Sequence, residues 1–234
     1  MISIIIPIYN QAAKLPYTLD SLAKQEFKDF EIIIVNDGST DGAEAAVENF
    51  LASHKNFDNQ IAFFNQENKG APAARNNGFR RSAGEYILFC DADAILTADA
   101  LMLMKKTLDE NSEASYAYSS FMWGKKLFKV GPFDEKKLKS GPMIHTMALV
   151  RRNDLPKSGW DESIKKLQDW DLWLTMLEDG KTGIWIDKVL FTIAPGGHIS
   201  NWVPSFAYKV MPWLSAVKKY KQAFEIVKAK HKLV

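Results

Sequence analysis

Two aspartates separated by one alanine, Asp91-Ala92-Asp93, follow the apolar run Tyr86-Ile87-Leu88-Phe89-Cys90. Such a pair offers hard carboxylate oxygens to Mg2+ or Mn2+, cations that keep several waters and complete their shell from a substrate diphosphate. The same residues also suit a strand-end turn in which an Asp caps a helix starting near Thr97. Three more polar clusters occur upstream, each after a short apolar run. They are Pro7-Ile8-Tyr9-Asn10, the stretch Asn36-Asp37-Gly38-Ser39-Thr40-Asp41-Gly42, and Asn68-Lys69-Gly70 followed by Ala74-Arg75-Asn76.

The apolar runs predict the elements that must position these clusters. Ile2–Ile6, Glu31–Val35, Ile61–Asn65 and Glu85–Phe89 read as strands, because Ile, Val and Phe dominate and turn residues bound them. Runs apolar along their whole length suit strands covered on both faces. Between them, 11–26, 41–53 and 70–82 carry apolar residues at helical spacing, with Leu15, Leu19 and Leu22 on one face of the first. Alternation of strand and helix argues for a doubly wound α/β layer, where ligands bind at the carboxyl ends of the strands. All four polar clusters fall at such ends. No G-x-G-x-x-G follows the first strand and no G-x-x-x-x-G-K-[ST] occurs, so dinucleotide-binding and P-loop readings lose their anchors. The second half is less regular, with strands expected at 116–121, 143–150 and 184–193 and helices at 169–177 and through most of 203–232.

Bulk composition sets the outer bounds. The chain has 234 residues, 47% hydrophobic and 25% charged, as in ordinary globular proteins. A formal charge of +2 gives no reason to expect a nucleic-acid partner. One cysteine, Cys90, excludes an internal disulfide, fits a reducing compartment and reads as a buried structural thiol. The first basic side chain is Lys14, unlike the charged start of a signal peptide, and no apolar run is long enough to span a bilayer. The expectation is a cytoplasmic protein.

At this point the chain resembles the family 2 inverting glycosyltransferases, whose fold is GT-A. The resemblance rests on Ile4 to Asn10, Val35 to Gly42, Asn68 to Gly78 and Gly84 to Asp93, in matching order and spacing across 1–95. It continues more loosely in Gly159-Trp160-Asp161-Glu162-Ser163 and Asp169-Trp170-Asp171-Leu172-Trp173-Leu174. It implies a mixed sheet flanked by helices over 1–201, with a donor-binding half at 1–95, an acceptor half at 96–201 and a C-terminal extension at 202–234. The implied reaction moves a sugar from a nucleotide-diphosphate sugar to an acceptor hydroxyl, assisted by Mn2+ or Mg2+, in the synthesis of a cell-surface glycan or polysaccharide. The acceptor stays open among glycan, lipid-linked carrier and protein. Pro7 and Tyr9 would line the nucleoside pocket, Asp37 would meet the base, and Arg75 would lie near base or diphosphate. Asn10, Lys69, Gly70 and Ala92 belong on the same donor side, and Asp91 and Asp93 at the metal and diphosphate.

In that family the general base is the Asp of a Glu-Asp pair, which Asp169 matches, while Gln168 replaces the Glu. Asp169 also suits an N-cap, and Asp171 is turned about 200° from it on a helix. Asn36 stands where an acid is frequent. The family's late-loop His would fall at Ala194 and its Arg at Thr192, leaving His198 as either a metal-side residue or a surface histidine. Outside the resemblance, Asp37 could instead cap the 38–42 loop, and Arg75 could be a surface cation. Trp160, Trp170 and Trp173 could stack on sugars or fill the core, the core being the better reading for Trp173. Trp202, Phe206, Tyr208, Met211, Trp213 and Leu214, followed by Lys218, Lys219, Lys221, Lys228, Lys230 and Lys232, suit either a helix packed on the domain or one lying on the inner face of an anionic membrane. Two rival functions remain. A non-catalytic relative would bind nucleotide or carbohydrate without turnover, and a nucleotidyltransferase would need a glycine-rich basic loop where Asn10-Gln11-Ala12-Ala13 stands.

Overall fold

The computed structural model describes residues 1–57, 60–194 and 213–233. Four parallel strands form one side of its sheet: β1 (Ile2–Ile8), β2 (Phe30–Asp37), β3 (Ile61–Gln66) and β4 (Tyr86–Phe89). The other side contains β5 (Ala94–Leu96), β6 (Tyr116–Trp123), β7 (Lys126–Phe128), β8 (Leu149–Arg151) and β9 (Gly183–Ile193). The order is β3-β2-β1-β4-β8-β6-β9-β5, with β7 paired to β6. β8 runs antiparallel to both β4 and β6, so the sheet is mixed where its two halves join.

Alternation along the central strands explains the layers. Ile4, Ile6, Ile8, Ile32 and Ile34 share a core with α1 (Leu15–Ala23) and α2 (Ala43–Ser53), through Leu15, Leu19, Leu22, Val47 and Phe50. On the opposite face Ile33 and Val35 meet Ala74 of α3 (Ala71–Arg81), while Ile5 joins the core built by the second half. Both faces are covered, as continuous apolar runs require. Cys90 is wholly buried, and burial with the charges of Asp91 and Asp93 pushes its thiol well above the usual range.

The chain passes from β4 to β5 through Cys90–Asp93 alone, yet β8, β6 and β9 lie between those strands in the sheet. In a flat sheet that separation is roughly 19 Å, and the link reaches about 17 Å only if fully extended. A turn with Ala94 N–H donating to Asp91 O shortens it further. The sheet therefore curls, and Asp91-Ala92-Asp93 closes the curl.

Several sequence expectations need correction. The strand expected at 143–150 shrinks to Leu149–Arg151, because the carbonyl of Ile144 accepts the Trp173 indole N–H (3.0 Å) and Met147 N–H turns to His145. The short strands β5 and β7 and the helix α5 (Glu135–Ser140) were not anticipated. The helix after the double aspartate, α4 (Ala100–Glu110), is preceded by Asp99, so neither Asp91 nor Asp93 caps it. Trp170 and Trp173 are wholly buried on α6 (Gln168–Glu178) and Trp160 nearly so, which makes all three packing residues.

The last helix, α7 (Ser215–Lys230), packs inward: Val217 and Val227 are buried and Phe224 stacks on Trp170 at 4.6 Å. Trp202, Phe206, Tyr208, Lys209 and Met211 lie outside the described residues, whereas Trp213 is exposed. Among the described residues no helix is long and apolar enough to cross a membrane.

Gly78 faces β1 so closely that an added Cβ would stand 2.4 Å from Ile5 Cγ2 and 3.3 Å from that of Val35. Gly78→Ala gains up to about 1 kcal/mol of helix propensity. Overpacking against two β-branched side chains costs about 1–3 kcal/mol. We expect a net loss of stability, read as a lower urea midpoint at unchanged slope.

Candidate active site

The four clusters converge at the carboxyl ends of β1, β2, β3 and β4. Asn10 adopts a left-handed conformation (φ 50°) just past β1. Its N–H donates to Ser39 Oγ (3.0 Å), and its Oδ1 accepts Thr40 N–H (2.9 Å). Asp41 takes Ala12 N–H, and Asn36 Oδ1 takes Ser39 N–H. The loop at 38–42 is thus held by Asn10 and Asn36. Asp37 does something else: it accepts Lys69 N–H, Gly70 N–H and Gln66 Nε2–H, each at 2.8 Å. A carboxylate satisfied by two backbone amides anchors the turn into α3 rather than capping its own loop.

That turn sets the floor of a cleft of about 230 Å3. Pro7, Ile8, Tyr9, Gln11 and Asp37 line one part of it, Asn68, Gly70 and Ala71 another, and Arg75, Asp91, Ala92 and Asp93 the rest. Gly70, with φ 93°, admits the sharp entry into α3, whose amino-terminal end adjoins the cleft and favours an anion there. Lys69 contributes its backbone amide, while its side chain is exposed and does not line the cleft.

Arg75 is buried, which corrects the reading as a surface cation. It donates to Asp91 Oδ1 (3.3 Å) and to Gln168 Oε1 (3.1 Å), and its guanidinium lies 4.5 Å from the Trp160 ring centroid. Trp160 is fixed in turn by Asn76 of α3, which accepts its N–H and donates to its carbonyl. Gly159 leaves room for that contact: an added Cβ would stand 2.4 Å from Asn76 Oδ1. The Gly159–Ser163 motif is therefore docked directly on the helix that carries Arg75.

Asp91 and Asp93 face a lysine on one side and a histidine on the other. Lys14 Nζ lies 3.4 Å from Asp93, and His145 Nε2 lies 3.8 Å from Asp91. Burial, and then the charge of Asp91, raises the Asp93 carboxyl above its ordinary range, with Lys14 opposing. Asp169 sits in the first turn of α6 behind Leu167, so it is not the cap residue; its carboxylate accepts Trp170 N–H at 2.9 Å. Burial raises its pKa, His145 and Arg75 pull it down, and Asp91 adds repulsion, so all three charges lie within its field. Asp171 is turned to the opposite side, where it pairs with Lys230 and His231. His198 lies outside the described residues.

Sequence reasoning missed two groups, Lys14 and His145. His145 is cradled by Phe121 of β6 and Phe191 of β9, at 4.8 and 5.3 Å between ring centroids. Those partners are distant in sequence, and no local motif marks the histidine. Among the described residues no group of three His, Cys, Asp or Glu could hold a metal without further ligands.

A model of "Glycosyl transferase family 2" matches residues 3–158, about two-thirds of the chain. The chain belongs to this family. Its relatives include an uncharacterized glycosyltransferase of Rickettsia felis, 28% identical over 89% of this chain and 35% of that protein. The glycosyltransferase GlyA of Streptococcus pneumoniae is 37% identical over 47% of this chain and 15% of its own length. The chain thus spans about a third or less of these relatives. Among solved structures, S. aureus TarS 1-349 in complex with UDP-GlcNAc aligns at a TM-score of 0.69 and 22% identity, covering 91% of this chain and 64% of that one. The mannosyltransferase PcManGT from Pyrobaculum calidifontis, in complex with GDP-Man and Mn2+, aligns at 0.70 and 20% identity, covering 99% and 69%. The fold is the GT-A arrangement that the sequence implied.

The raised Asp93 carboxyl has a measurable consequence. A carboxyl whose folded pKa is raised favours folding while protonated, and that contribution is lost as pH rises through the folded value. At neutral pH the ionised Asp93 therefore costs stability. Without divalent metal, Asp93→Asn is expected to melt at or above the wild-type temperature at pH 7.5, and a clearly lower melting point would refute the burial argument.

Proposed function

We propose that this chain is an inverting sugar transferase that uses a nucleotide-diphosphate sugar, with Asp169 as general base. The observation that carries the reading is the convergence of Arg75, Asp91 and Asp169 from α3, the β4 end and α6 on one electrostatic neighbourhood. Pro7 and Tyr9 offer apolar contact to the nucleoside, and Asp37 keeps accepting capacity toward the base. The α3 amino terminus and Arg75 are placed to stabilise charge growing on the departing diphosphate.

Asp91 and Asp93 are the groups that would hold Mn2+ or Mg2+. Two close carboxylates with hard oxygens, one of them raised by burial and by the other's charge, fit such a cation. Bound there, it would supply further charge neutralisation at the diphosphate. Asp169 does not line the donor cleft, which suits a base that approaches the acceptor hydroxyl from the side opposite the leaving group. Its raised pKa brings it closer to that of an effective base at neutral pH. His145, set between Asp91 and Asp169, accepts Met147 N–H at Nδ1 and so carries its proton on Nε2 when neutral. That N–H is a donor available to substrate oxygens.

The acceptor is proposed to be a hydroxyl of a glycan, a lipid-linked carrier or a protein in surface polysaccharide synthesis, at a cytoplasmic site. A second reading, binding without turnover, is motivated by Ala194 and Thr192, which stand where the resembled family places its late-loop His and Arg.

Thermal shifts with UDP-, GDP- and dTDP-sugars, with and without Mn2+, identify the donor, because a ligand at a hundred times its Kd stabilises by about 2.7 kcal/mol. Asp169→Asn is expected to keep that shift while losing roughly 100- to 10,000-fold in turnover. Removing a carboxylate that burial disfavours should leave its melting point no lower than wild type. In the wild type, turnover falls as acid protonates Asp169, with the limb above the ordinary aspartate range. Turnover retained by Asp169→Asn refutes the base assignment, and binding without turnover for every donor and acceptor favours the non-catalytic reading.

A further inference from the structure

The carboxyl end of α7 carries a cluster that the transfer site does not use. His231 is almost wholly buried, with Nε2 2.9 Å from Asp171 Oδ1 and Nδ1 2.8 Å from Glu178 Oε1. Both ring nitrogens therefore donate to carboxylates, which requires the imidazolium form. The neighbouring Lys230 bridges Asp171 (2.7 Å) and Asp161 (2.8 Å).

Each carboxylate belongs to an element that carries part of the transfer site. Asp171 and Glu178 lie on α6, two and nine residues after Asp169. Asp161 directly follows Trp160, the platform beneath Arg75. Trp170, between Asp169 and Asp171, is stacked on Phe224 of α7. Thus α7 grips both the helix that bears the base and the loop that supports the cation.

We infer that Lys230 and His231 are positioning residues for the transfer reaction, holding the first turn of α6 and the Trp160 platform in register across the donor and acceptor halves. The inference rests on the proposed reaction but uses none of its substrate-contacting groups. Without the clamp, Asp171 would be a buried, unpaired carboxylate on the helix that must hold Asp169 still, and such charges are strongly destabilising.

The charges also set a pH response. His231 faces Asp171 and Glu178 from α6, with Asp161 and Glu162 from the preceding loop, Lys230 and Lys232 from its own segment, and Lys136 and Lys139 from α5 around it. Burial lowers its pKa, but the two carboxylates outweigh burial and raise it. Lys230 holds the Asp161 carboxyl down to about 2. A histidine raised in the folded state stabilises fully below its ordinary value and loses that contribution as pH rises through the folded one. Above it, one ring nitrogen presents a lone pair to a carboxylate and the clamp slackens.

The test uses the full chain, with UDP-GlcNAc and GDP-Man as probes in the presence of Mn2+ and water as acceptor. Lys230→Ala and His231→Gln are expected to lower kcat for donor hydrolysis roughly 10- to 100-fold. Donor KM should stay within about two-fold, because the donor cleft is not touched. Lys230→Arg should recover most of the loss, and the alkaline limb of the wild-type kcat profile should vanish in His231→Gln. Independently of turnover, amide exchange at 159–163 and in the first turn of α6 should quicken in both variants and, in the wild type, at alkaline pH. Unchanged exchange overturns the inference even if neither probe is hydrolysed. So does unchanged kcat, or a Lys230→Arg protein as impaired as Lys230→Ala. An active Asp169→Asn variant would overturn the base assignment alone and leave these clamp readouts standing.

Discussion

The arrangement turns on one buried guanidinium. Arg75 is shielded from water, so its charge must be compensated locally or the fold pays several kcal/mol. It finds Asp91 at the end of β4, Gln168 at the start of α6 and the face of Trp160. Those partners come from three separate stretches of chain, so compensating the charge also assembles the cleft. Gln168 contributes a neutral acceptor here. A second carboxylate at this point would add repulsion to Asp91 and Asp169, both already within reach of one another's fields.

The curled sheet creates the need for this arrangement. Parallel strands β3, β2, β1 and β4 deliver their polar ends to one edge, as open α/β sheets do. The link from β4 to β5 then crosses to the far edge through only Cys90–Asp93. Its carboxylates are consequently drawn between the two halves, with Lys14 beside Asp93 from the α1 side and His145 beside Asp91 from the acceptor side. Clustered acids that burial pushes toward the neutral form destabilise the apo fold, a common tension between a working site and stability.

Support for the site comes from elements some distance from it. Asp37 spends much of its hydrogen-bonding capacity on the Lys69–Gly70 turn, which aims α3. Asn76, one residue beyond Arg75, secures the Trp160 platform from the same helix. On the far side, α7 grips α6 and the platform loop through Lys230 and His231. Each half is braced through buried polar contacts in which Asp37, Asn76, Asp171 and His231 are paired, while Arg75 Nε and the Trp160 indole N–H have no hydrogen-bond partner among the described residues.

By itself, the sequence determined the strands and helices of the first 90 residues and the identity of the polar clusters. Short apolar runs bounded by turn residues, such as Ile2–Ile6 and Glu85–Phe89, read as strands covered on both faces, which places the polar residues after them at strand ends. Eight of the ten residues expected on the donor side line one cleft for that reason; Asn10 and Lys69 instead secure the loops beside it. Tertiary structure decided what depended on distant partners. Residues 143–148 stay irregular because Ile144 and Met147 find side-chain partners in Trp173 and His145. Lys14 and His145 join the aspartates only because the sheet curls. The lysine-rich final helix could be read as a membrane-facing surface or, the better reading, as a docked one; burial of Val217 and Val227, and the pairing of Lys230 and His231 with Asp161, Asp171 and Glu178, dock it. Periodicity reports which side of an element is apolar, whereas the partner that neutralises a charge is chosen by the fold.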